Sequence, residues 1–72
     1  MRWDKEFVGN EIESMDISVE KKDRDEFDNI LNSYLNKVDP NRELCIVDAV
    51  KKLKDREITD LYDDLFMLYY EE

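Results

Sequence analysis

Apolar residues mark one side of a helix most regularly in the middle of the chain. Phe27, Ile30, Leu31, Tyr34, Leu35 and Val38 stand at i, i+3, i+4, i+7, i+8 and i+11, the repeat of a single helical face. Asp23 falls where the first turn needs a cap, and Glu26 three residues later fits a capping box. The pattern predicts a helix over 23–38. Asp39-Pro40 then closes it and opens another, since Pro suits the first helical position and Asp39 can cap ahead of it. A second helix is predicted over 40–55, burying Leu44, Ile46, Val47, Val50 and Leu53. Lys51, Lys52 and Lys54 lie near its end, where cations complement the helix dipole. A buried strand at 44–47 is the rival reading, because that run is short and suits either state.

A third helix is predicted over 59–70, with Ile58, Leu61, Tyr62, Leu65, Leu68 and Tyr69 on one face. Asp60, Asp63 and Asp64 then fall in or near its first turns, where the dipole favours anions. Phe66, Met67 and Tyr70 lie off that face. Residues 65–70 are all apolar or aromatic, more than a one-sided helix in so small a chain buries. The segment is therefore expected to be either a strand or a surface that meets a partner.

The first twenty residues carry a weaker pattern. Trp3, Phe7 and Val8 fit one short piece, Gly9-Asn10 reads as a turn, and Met15, Ile17 and Val19 alternate with polar residues as in a half-buried strand. An arm or short hairpin is expected here. The fold class that results is mostly α: a three-helix domain with a helical hairpin, short N-terminal β-strands as an addition, and α+β as the alternative. With 72 residues there is room for one domain. A chain of this size buries only about 60% of the surface it exposes when unfolded, so its core is thin.

Charge changes this picture more than composition does. The net charge of −9 is unevenly spread: −4 over residues 1–20, zero over 21–38, +1 over 39–56 and −6 over 57–72. No base follows Arg56. Residues 1–20 lack the apolar run of a secretory signal, and no stretch approaches a membrane span. The single cysteine, Cys45, has no partner for an internal disulfide, which predicts a reducing, cytoplasmic setting. Its apolar neighbours predict a buried, inert thiol.

Several chemistries lack their residues. There is no histidine, one cysteine and one glycine. This leaves no ready proton shuttle, no base to activate a cysteine nucleophile, no glycine-rich phosphate loop and no zinc set. Asp23-Arg24-Asp25-Glu26-Phe27-Asp28 opens like a calcium loop, but has Phe27 at the fifth position, Asp28 in place of the required glycine, and no Glu at the twelfth. The expectation is a binding protein with no cofactor, no metal and no catalytic role.

Two binding modes follow. Carboxylates at Asp60, Asp63, Asp64, Glu71 and Glu72 can present a row of negative charge to a basic protein surface, as DNA does; direct nucleic-acid binding is opposed by the same field. This predicts an inhibitor or regulator of a nucleic-acid-handling protein, a DNA mimic in class like the compact acidic proteins of phages and mobile elements. In the other mode the aromatic run, with Phe66, Met67, Tyr69 and Tyr70 and joined by Trp3 and Phe7, forms a homodimer seam or docks in a groove. The plainer account of any acidic cluster is a solvated face that keeps a thin-cored protein in solution.

Overall fold

A computed structural model describes residues 4–70 of the chain, apart from the side chain of Tyr69. Helix α1 spans Lys5–Ser18, a 3-10 turn at Lys21–Asp23 leads into α2 at Arg24–Leu35, α3 is the short Ile46–Lys51, and α4 spans Asp55–Tyr70. No strand occurs among the described residues. The fold is thus mostly α, as the apolar spacing predicts, but the described residues form four α-helices, and residues 5–18 are helix where an arm or hairpin was expected.

α1 forms because Asp4 caps it, its Oδ1 accepting from the Glu6 and Phe7 backbone N–H groups at 3.1 and 3.4 Å. Val8, Ile12 and Met15 then fall at i, i+4 and i+7 and are buried. The strand-like alternation was misleading, since Ile17 is 79% exposed. Gly9 marks no turn. It is buried within α1, where α3 crosses so closely that a Cβ at Gly9 would stand 3.0 Å from the Val47 Cα. Glycine is used here for close helix approach, at a cost of about 1 kcal/mol in helix propensity.

α2 presents the expected face, with Phe27, Leu31 and Leu35 buried and Ile30, Tyr34 and Val38 packed beside them. Its predicted capping box does not form, because the Asp23 side chain makes no cap bond. The helix also stops at Leu35, whose carbonyl accepts from the N–H groups of Val38 and Asp39.

The predicted helix over 40–55 is cut to Ile46–Lys51, and the rival strand at 44–47 is absent. Asp39 explains the difference. Its buried carboxylate accepts from the backbone N–H of Glu43 through Oδ1 and of Leu44 through Oδ2, both at 2.9 Å. These bonds fold residues 39–44 into a loop, with Arg42 at φ 54°. The carboxylate expected to cap a helix clamps a loop instead.

α4 begins at Asp55, four residues before the predicted start. The Lys54 N–H donates to Glu57 Oε1 at 3.0 Å, and the Ile58 N–H donates to the Lys54 carbonyl at 2.9 Å. Glu57 thereby supplies half a capping box from the third helical position. The Lys54 N–H, and then Lys37 at 3.2 Å, hold the Glu57 carboxyl below its ordinary range.

Ile58, Leu61 and Leu65 of α4 meet the α1 and α2 faces in one core with Val50 and Leu53. Full burial of such a side chain is worth about 1.5–3 kcal/mol. The Cα trace measures 31 × 29 × 16 Å, about two helices thick, so each long helix keeps an outward face. Cys45 precedes α3 and is exposed, against the expectation of a buried thiol.

Candidate binding surface

The earlier start of α4 changes what its acids mean. Asp55 and Glu57 occupy the first turn, where the dipole acts. Asp60, Asp63 and Asp64 stand in the second and third turns, beyond its reach. They do not stand at the helix start expected of a helix beginning at Thr59. All three are exposed.

Their partners differ. Asp64 Oδ2 accepts from the Tyr34 hydroxyl of α2 at 2.8 Å. Asp60 and Asp63 have no ion pair among the described residues. Elsewhere the acids are better matched: Arg24 holds Asp16 Oδ1 at 2.6 Å and Asp28 Oδ1 at 3.2 Å, and Lys37 meets Glu57. The hydrogen bond to Asp16 comes first among the causes that raise the Arg24 pKa. For Tyr34, the bond to Asp64, then burial, pushes the hydroxyl up to about 12.

The aromatic run is helical, against the expectation of a strand. Leu65 goes to the core, and Phe66, Met67 and Tyr70 remain 43%, 68% and 59% exposed. Tyr62, Phe66 and Tyr70 succeed one another at i, i+4 and i+8. Their ring centroids are 6.0 and 4.3 Å apart, with tilts of 49° and 38°. Tyr62 is the half-buried rung; burial first, and Glu11 second, raise its pKa. Asp63 and Met67 occupy the adjacent row, and Asp60 and Asp64 the flank toward α2.

The structure thus gathers Asp60, Asp63, Phe66, Met67 and Tyr70 on one outward face. Asp64 sits at its edge. Glu71, Glu72, Trp3 and the Tyr69 side chain lie outside the described residues. Phe7 is exposed on α1 at 59%. The sequence reading missed Tyr34 as the residue that orients Asp64; thirty residues separate them, and only the pairing of α2 with α4 brings them together.

No group of three or more His, Cys, Asp or Glu side chains placed to hold a metal ion occurs among the described residues. No helix among them is long and apolar enough to cross a membrane. No protein family, curated protein or solved structure matches this chain.

Proposed function

We propose that this protein works by binding, with the outer face of α4 as its contact surface and a basic protein surface as its partner. The observation that carries the reading is the coincidence on one face of exposed Phe66, Met67 and Tyr70 with the carboxylates of Asp60 and Asp63, which form no ion pair among the described residues. Aromatic and Met side chains supply the desolvated centre of an interface, and charge at the rim selects the partner. A row of carboxylates about 5–6 Å apart on a helix suits a surface made to receive phosphates. The biological consequence would be inhibition or regulation of a nucleic-acid-handling protein in the same compartment, the cytoplasm.

Charge favours a foreign partner over a second copy. A two-fold pair formed on this face would set the same carboxylates against each other, on chains that each carry −9.

The test is capture on immobilised protein from the native cell, followed by competition with duplex DNA. The captured protein should be basic, be displaced by duplex DNA, and be lost when Asp60→Lys and Asp63→Lys are combined. Retention by that double variant, with loss only in Phe66→Ala and Tyr70→Ala, would refute the charge part. A dimer in sedimentation that Phe66→Ala dissolves would replace the proposal with the homodimer seam.

A further inference from the structure

Between α2 and α4 lies a groove of about 210 Å³, lined by Glu26, Ile30, Asp64, Met67 and Leu68. It is smaller than the ~300–1,000 Å³ of a small-molecule site, and suits one long side chain. Ile30, Leu68 and Met67 supply its apolar lining, while Glu26 brings a carboxylate from α2 and Asp64 one from α4. The Glu26 carboxylate has no hydrogen bond or ion pair among the described residues. Asp64 gives only Oδ2 to Tyr34, so Oδ1 is left to accept. The Tyr34 hydroxyl fixes that carboxylate's orientation at the groove wall.

We propose that this groove seats one arginine side chain of the partner, its stem on Ile30, Leu68 and Met67 and its guanidinium between Glu26 and Asp64. The inference rests on the binding reading above and names the residue type that the partner contributes. Arginine fits better than lysine for two reasons. Its planar fork can donate to carboxylates on two walls at once, and it is more weakly hydrated than an ammonium. Its methylene stem covers apolar surface while the head stays among the acids. The groove adjoins the outer face of α4 through Met67 and Asp64, so one basic segment can reach both.

The experiment is a titration of the ¹⁵N-labelled protein with the peptide acetyl-Ala-Ala-Arg-Ala-Ala-amide. Parallel titrations use peptides carrying citrulline or lysine in place of arginine. Saturable shifts are expected at the amides of Glu26, Ile30, Asp64, Met67 and Leu68, and the citrulline peptide should lose them. Glu26→Gln should weaken binding about 2- to 5-fold, and Glu26→Gln with Asp64→Asn about tenfold, with the rest of the spectrum unchanged. Shifts spread over all exposed acids, or insensitive to the double variant, would overturn the arginine seat. If they do so while Phe66→Ala and Tyr70→Ala still abolish capture, the seat falls alone and the outer-face reading stands. If the groove binds arginine and those two variants capture normally, the seat stands and the outer face is the wrong surface.

Discussion

At the corner between α1 and α2, Asp16 and Asp28 face the Arg24 guanidinium at 2.6 and 3.2 Å, whereas Asp60 and Asp63 on α4 are exposed and form no ion pair among the described residues. The corner also ties Arg24 Nη2 to the Asp16 carbonyl and places the guanidinium 5.8 Å from the Phe27 ring. There, charge serves the fold by joining the end of one helix to the start of the next. Asp60 and Asp63, by contrast, take part in no ion pair that joins elements among the described residues, and they lie beside exposed aromatics. Net charge alone cannot separate these two uses. The position of the nearest cation can.

A third kind of carboxylate, the buried Asp39, carries the largest expected effect. Asp39→Ala removes the acceptors of two backbone N–H groups, those of Glu43 and Leu44. A loss of about 2–3 kcal/mol is expected in urea unfolding. Asp39→Asn should fall between, because its amide has one acceptor oxygen. An unchanged midpoint in Asp39→Ala would mean that the loop holds without its clamp.

Gly9→Ala comes next. The alanine gains helix propensity but sets a methyl 3.0 Å from the Val47 Cα, a backbone atom that moves only with α3. A net loss of about 1 kcal/mol is expected. A gain would show that α3 shifts freely.

Substitutions on the outer face of α4 should be the mildest for folding. The Asp60→Lys, Asp63→Lys pair should leave stability within about 0.5 kcal/mol of the parent, and Phe66→Ala and Tyr70→Ala, which lose ring contacts, within about 1 kcal/mol. A large loss in any of them would assign that residue to the fold rather than to a partner.

The bond from Tyr34 to Asp64 makes stability depend on pH. The folded hydroxyl holds its proton to about 12, while an unfolded tyrosine releases it near pH ~10. Between these values the unfolded state binds fewer protons, so stability falls as pH rises. The contribution is complete below the lower value and lost through the upper one. Tyr34→Phe should flatten that part of the urea midpoint profile; no difference between the two profiles would mean that the bond to Asp64 is not kept in solution.

Much of α2 and the core stripe of α4 was legible, because Phe27, Leu31, Leu35, Ile58, Leu61 and Leu65 follow helical spacing and are buried. α1 was not, since its buried face includes Gly9, and the reason for a glycine there is the backbone of α3. Asp39 was ambiguous in principle, as a carboxylate before proline can receive backbone N–H groups from a helix or from a loop. The start of α4 was missed because Lys54 is no capping residue and the bond comes back from Glu57. Of the candidate surface, the acids and the aromatics could be read from the chain. Their separation from the helix dipole, and the α2 wall beside them, could not.

The salt dependence of partner affinity, measured for the parent protein and the Asp60→Lys, Asp63→Lys pair, separates a charge-matched contact from an apolar one. The parent Kd should rise steeply as salt is raised from 50 to 500 mM, on the order of tenfold or more, as screening weakens a charge-matched interface. The double variant should bind far more weakly at low salt and show little further dependence. A flat salt profile in the parent, with the double variant binding equally well, would contradict the claim that the unpaired carboxylates of α4 are the contact surface.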